Sequence, residues 1–427
     1  MSLLSRWMNY SHRKLDRFNY WACTVIALFL FVFILSPLNT LGNVSFALVL
    51  LGFINVLIQP GILKYLFQKE AIWLTIIIVV FSLYALILDG WIRNDMSPIR
   101  FRNSVGFLVG LTGFAVFQKY GWRSSWFLPA MILGVWIGGF YSVESMLFGS
   151  GIIQPNSFNR IYWGAIAAFQ IGFLIVFAID LFKKQRFFWL MVVAITMIVA
   201  VFNLIASGSR GPLVAVFISV PLILMFTSKD KIRAVKLGLV SLCFLFISVF
   251  AYMSLLPEQA FSKRITQAIG EVIEYYEGEI AYTSSGIRLQ LWRISYQAML
   301  DSTLIGLSQQ EIRELKNHMV DQGVVHAGVN NFTHMHSDMF HTLAAYGVLG
   351  LLIYLFYLSV LLQYSLVKAS LTSVLLFSFI AVFFAIGLTD SYTYSGIGSM
   401  LLFTISIFLK TSIRPDEPRQ LYDNVTT

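Results

Sequence analysis

The sequence predicts an all-α polytopic membrane protein with about 12 transmembrane helices and one large, mostly helical loop on its outer face. Three observations predict it. The 427 residues are 58% hydrophobic and only 12% charged, with a mean hydropathy of +0.75. A soluble protein has too little interior to hide that much apolar surface. Apolar runs of roughly 20 residues, long enough to cross a bilayer core as helices, recur along the chain. One polar stretch, residues 257–337, interrupts the pattern.

The spans fall at about 19–37, 41–59, 71–89, 103–118, 126–148, 161–180, 187–206, 211–227, 234–256, 338–364, 368–388 and 392–410. This divides the chain into an N-terminal segment (1–18), spans one to nine (19–256), the loop (257–337), spans ten to twelve (338–410) and a tail (411–427). The first apolar run has no small-residue cleavage pattern after it, so it is expected to be a retained span. Cys23 and Cys243 lie inside apolar runs, which implies buried thiols and no disulfide framework.

The positive charges orient the bundle. With the N-terminus in the cytoplasm, 19 of the 30 Lys and Arg residues lie inside and 11 outside. Both termini are therefore expected to be cytoplasmic. The net charge of +9 follows from this bias and from contact with anionic lipid heads; it requires no nucleic-acid partner. Inside, Lys outnumbers Arg by 11 to 8, whereas outside Arg outnumbers Lys by 9 to 2. Arg binds phosphate oxygens bidentately, so this outward bias points to anion recognition as well as to pairing with loop acids. Arg210 sits in "ASGSRGPL", a tight outward turn where an unpartnered charge would be costly.

Within the loop, "RITQAIGEVIEYYEGEI" places Ile265, Ala268, Ile269, Val272, Ile273 and Tyr276 at helical spacing. A second helix is expected from "TSSGIRLQLWRISYQAML", with Ser284 or Ser285 as its N-cap, Arg288 in its first turn and Leu289, Trp292, Tyr296 and Met299 on its apolar face. A third opens on a capping box, Ser308 with Glu311. A folded cap of this size implies a covered outer cavity.

Three of the six histidines, His334, His336 and His341, lie in "THMHSDMFHTLAAYGVLG", at the boundary between the loop and span ten. Three roles fit: a polar helix start with Ser337 and Asp338, a metal site, or a general base. His-x-His presents both rings on one face only in an extended chain, and no Cys cluster or HExxH accompanies it, so no metal is expected. Imidazole titrates near neutral pH and can take a proton from a hydroxyl. No P-loop and no Asp-x-Asp motif for a nucleotide-sugar is present, and no cofactor is expected.

The spacing His336, Ser337, nine residues, Gly347, two residues, Gly350 resembles the bacterial O-antigen ligase group of the O-antigen ligase and polymerase superfamily. The loop between spans nine and ten, the Arg in an "SGSRG" turn, and "RLQLWR" agree along nearly the whole chain. One departure is that "DSTLIGLS" lacks a proline before its glycine.

The resemblance implies a GT-C-like glycosyltransferase in the bacterial inner membrane, with its loop and site in the periplasm. It would move a glycan from undecaprenyl diphosphate to a sugar hydroxyl of lipid A–core, with those two lipids and the membrane as partners. It further implies that His336 deprotonates the acceptor hydroxyl, with inversion, and that Arg210 and Arg288 hold the diphosphate without metal. Asp390 would orient His336 or an arginine, or simply cap a helix; His334 and Arg293 are candidate supporting residues. An O-antigen polymerase with the same donor remains an alternative, and a transporter a more distant one.

Overall fold

In the computed structural model the described residues are 3–34, 40–69, 71–95, 98–148, 160–228, 270, 271, 273, 282–366, 370–394 and 396–411. The expected ninth span, residues 234–256, and nearly all of the first loop helix lie outside them. So does Cys243.

Helices stand at each of the other expected spans: α1 (Leu3–Phe33), α2 (Thr40–Ile58), α3 (Ile72–Leu86), α4 (Pro98–Tyr120), α5 (Phe127–Phe148), α6 (Arg160–Lys183), α7 (Phe187–Ala206) and α8 (Arg210–Thr227). The loop contributes α9 (Ser284–Asp301) and α10 (Gln309–Asp321), and then come α11 (Asp338–Leu366), α12 (Leu371–Thr389) and α13 (Gly396–Thr411). Among the described residues, 8 helices are long and apolar enough to cross a membrane. A ninth span is obtained if α2 and the 3₁₀ helix Pro60–Phe67, bent by 116°, are counted as one. The chain is thus a multi-pass membrane protein; the 8 or 9 spans are counted among the described residues, which leave out the expected ninth span. The apolar part of α13, Leu401–Thr411, is too short by itself to cross.

The packing follows from side-chain size. Fully buried Trp163, Phe114, Phe117, Phe127, Phe379, Phe383 and Phe408 fill the bundle interior. Large apolar residues such as Phe46, Trp91 and Ile198 are left exposed on the outside of the helices, as expected for a lipid-facing surface.

The loop has a separate core. Ile287, Leu291, Ile294 and Ala298 of α9 meet Ile312 and Met319 of α10, together with Val329, Met335, Ala344 and Ala345. The buried face of α9 therefore differs from the expected one. Tyr296 is exposed, and Leu289, Trp292 and Met299 are only half-buried. The helix carries two apolar stripes: the one with the smaller residues enters the loop core, while Trp292 of the other stacks on Phe340 of α11, with centroids 5.0 Å apart. Its N-cap is Thr283, whose side chain accepts from Gly286 N–H at 3.1 Å, in place of the expected Ser284 or Ser285. The α10 capping box, Ser308 with Glu311, forms as expected.

One junction ties loop to bundle. The α11 helix breaks at Gly347 (φ 65°, ψ −168°), a backbone region open essentially only to glycine. Gly306 (φ 69°) faces it; a Cβ on Gly347 would lie 2.3 Å from Leu304 O, and one on Gly306 would lie 2.6 Å from Ala344 O. The 303–307 segment fits into the break: Leu307 N–H donates to Ala344 O, and Val348 N–H to Thr303 O. The end of α3 and the π-helical turn that follows it, Ile87–Ile92, complete the junction. Arg93 pairs with buried Asp89 at 3.1 Å and donates to Ala345 O and Ile305 O. Tyr84 donates to Tyr346 O. Arg93 therefore has a structural role, and loop and bundle are held together at backbone level despite the missing proline.

Candidate active site

His336 carries the first sign of function, in its backbone. Its φ is +49°, in the left-handed region that non-glycine residues rarely occupy. Such strain persists where surrounding contacts enforce it, and it clusters at functional sites. The helical hydrogen bonds of α11 begin only with His341 N–H to Ser337 O. His336 therefore stands outside the helix, on the turn that enters it.

Three paired contacts hold that turn against the end of α12. His336 Nδ1 lies 3.3 Å from Asp390 Oδ1, an ion-pair distance without good hydrogen-bond alignment. Ser337 N–H donates to Ser391 Oγ at 3.0 Å, and Ser391 Oγ donates to Ser337 O at 3.1 Å. Thr393 donates to Asp338 Oδ1 from its N–H at 2.7 Å and its hydroxyl at 2.6 Å. The "HSD" and "DSYT" segments thus run side by side. Asp390 is the residue that ends α12, and it faces His336. Burial raises the Asp390 carboxyl, but the contact with His336 and the charges of His336, His334 and Arg288 outweigh it, holding the group below its ordinary value.

The rings of His334 and His336 meet edge to face, with centroids 4.3 Å apart. His336 N–H points at His334 Nδ1 at 3.3 Å. Burial, with His336 and nearby cations, brings His334 down to about 4, so it is neutral at neutral pH. His341 is buried on the helix and faces Tyr394, with centroids 4.5 Å apart. It lines a cavity of about 90 Å³ with Phe81, Phe107, Tyr346 and Phe403. The structure places it near the pair, not within it.

The arginines converge from three helix starts. Arg210 is the first residue of α8. At the next position a Cβ on Gly211 would come within 2.7 Å of Thr389 Oγ1, which sets the Arg210 turn beside Asp390. Arg160 is the first residue of α6, where Tyr162 packs on Tyr392 at 4.9 Å. Arg288, on α9, feels all of these groups. Burial pushes its guanidinium down, Asp390 raises it, Arg210 and Arg160 lower it, and Glu271 raises it. Arg293, five residues later, is exposed and roughly 140° round the helix. Among the described residues no contact joins it to the cluster.

Arg160, one of the nine arginines that the charge count puts outside, is not among the residues expected at the site. Its signal was its place at the mouth of a span. Ser391 and Thr393 carried no signal, because their partners lie in a distant segment.

His334, His336 and Asp390 each offer one ligand atom, all within 4.8 Å of one another. The left-handed turn at His336 folds the His-x-His pair together without an extended chain, and Asp390 supplies a third group. The same three atoms suit a bound cation or a histidine held and polarised by a carboxylate.

Residues 195–355 match a protein family described as O-Antigen ligase. Over 191 residues the chain is 24% identical to an uncharacterized protein of Haemophilus influenzae. The match covers 45% of this chain and 47% of that protein, so the chain spans about half the length of this curated relative. Arg210, Arg288 and His336 fall inside the family match, whereas Arg160 and Asp390 fall outside it.

Proposed function

We propose, from the match of residues 195–355 to the O-antigen ligase family, that this chain transfers a glycan from undecaprenyl diphosphate to a sugar hydroxyl of lipid A–core. The reaction takes place on the periplasmic face of the inner membrane, is inverting and needs no metal. The observation that carries this reading is the strained His336, backed by Asp390 and set beside Arg210, Arg160 and Arg288.

With Nδ1 turned to the Asp390 carboxylate, the favoured tautomer keeps its proton there and leaves Nε2 as the base. Nε2 takes the acceptor hydroxyl proton as the oxygen forms its bond to the anomeric carbon. The bond from that carbon to the diphosphate oxygen breaks on the opposite face, and its electron pair leaves with the diphosphate. Attack opposite the leaving group gives inversion. Charge grows on the leaving diphosphate, and guanidiniums fixed in advance stabilise it most in a partly buried site. Asp390 stabilises the imidazolium that forms.

Purified protein supplied with lipid A–core and undecaprenyl-diphosphate glycan tests the reading. Glycan joined to lipid A–core, with inverted anomeric configuration, is expected. Lengthening of the lipid-linked glycan without lipid A–core would instead identify a polymerase. Movement of the donor across vesicles without bond formation would identify a transporter.

A further inference from the structure

α10 buries an amine where its pattern calls for an apolar residue. Ile312 and Met319 are buried on its inner face, and Lys316 lies between them at helical spacing, only 3% exposed. Burying a charge without a partner is expensive. Among the described residues no carboxylate pairs with Lys316. Instead its Nζ donates to Phe332 O at 2.6 Å and points at Val329 O at 3.4 Å. Burial, with Arg313, brings the amine down to about 8, so it remains largely protonated at neutral pH. A methionine would fill the slot at lower desolvation cost, so the amine has a task that volume alone does not supply.

The two carbonyls indicate the task. They lie in the segment that runs directly into the histidines. Phe332 places its ring edge against His336, centroid to centroid 5.0 Å, and Met335 between the two histidines is fully buried in the loop core. Phe332 is therefore held at its carbonyl by Lys316 while its ring supports His336. A left-handed histidine needs several such restraints to stay where it is. The Lys316 cation also acts on His334, disfavouring its charged form.

We infer that Lys316 is a positioning residue for His336, acting through the Phe332 carbonyl and ring. This rests on the proposed role of His336, but its geometric part can be tested without glycan transfer.

The experiment compares full-length Lys316→Met, Lys316→Arg and Phe332→Leu with wild type in detergent. Diethyl pyrocarbonate labelling of each histidine is followed by mass spectrometry. His318 and His326, in the same loop, are the internal controls. Labelling of His334 and His336 should rise in Lys316→Met and in Phe332→Leu, while His318 and His326 stay at wild-type rates. Lys316→Arg should restore the wild-type pattern. In the transfer assay, kcat should fall roughly 10- to 100-fold, the scale expected of a small misplacement of a catalytic group, with the donor KM unchanged.

Unchanged labelling of the pair in both Lys316→Met and Phe332→Leu would overturn the inference. So would an equal rise at all four histidines, which would mean that the amine only keeps the loop folded. Should Lys316→Met fail to accumulate, Phe332→Leu, which keeps the amine and its carbonyl acceptor, decides by the same criterion. Selective labelling changes without any wild-type transfer would leave the positioning role standing and refute the proposed ligase activity instead.

Discussion

Asp390 and His336 approach to 3.3 Å between Oδ1 and Nδ1, and theirs is one of three contacts that join the two segments. The Ser337–Ser391 and Asp338–Thr393 hydrogen bonds fix the two segments in register on their own. Removing the carboxylate therefore tests its charge with the geometry kept. Asp390→Asn is expected to lower transfer by about 10²-fold or more, because the imidazolium formed at His336 loses its counter-charge. Steady-state kinetics of the purified variant, alongside its thermal melting curve, check this. A melting point near wild type is expected.

A second expectation concerns the arginines. Arg210→Lys and Arg288→Lys keep the charge but lose the planar fork that binds two phosphate oxygens. Each should greatly reduce transfer while the protein still inserts and accumulates. Exposed Arg293, away from the cluster, should tolerate the same change. Wild-type rates in both Arg210→Lys and Arg288→Lys would rule out the diphosphate clamp.

Several of the residues that the structure brings together can be picked out in the sequence, for identifiable reasons. Apolar runs reveal spans because the bilayer fixes their length. The capping box at Ser308 is a local pattern, read within four residues. His336 was picked out by its spacing to Gly347 and Gly350, and Asp390 by its place at a span end. What failed was long-range or degenerate. Gly306 and Gly347 need each other's empty space, and no local pattern pairs them. Both faces of α9 are apolar, so periodicity could not choose between Trp292 and Ile294. Lys316 did leave a signal, a lysine in step with Ile312 and Met319, but a single charge in an amphipathic helix reads as solvent-facing until its contacts are seen.

The glycine pair supports a stability prediction. Gly347→Ala puts a methyl 2.3 Å from the Leu304 carbonyl oxygen, in a backbone region closed to alanine. Backbone strain of this kind alone costs on the order of 1–3 kcal/mol, and the clash adds to it. The variant should melt well below wild type in detergent, or fail to accumulate. A melting point equal to wild type would show that the loop is not locked into the α11 break.

Metal dependence separates the two uses of the His334, His336 and Asp390 cluster. Transfer is expected to persist in EDTA, since the arginines supply the positive charge that the leaving diphosphate needs. Loss of activity on chelation, restored by one added divalent ion, would assign the cluster to a cation.

His336→Ala tests the central claim most directly, by single-turnover transfer in detergent with donor-lipid binding measured separately. General-base catalysis is typically worth about 10²–10⁴-fold in rate. Transfer should fall by that factor with donor binding largely kept, because the arginines hold the diphosphate. His341→Ala should lose little and His334→Ala should fall between the two. Normal transfer in His336→Ala, or a loss explained entirely by failure to bind the donor, would contradict the assignment of His336 as the base.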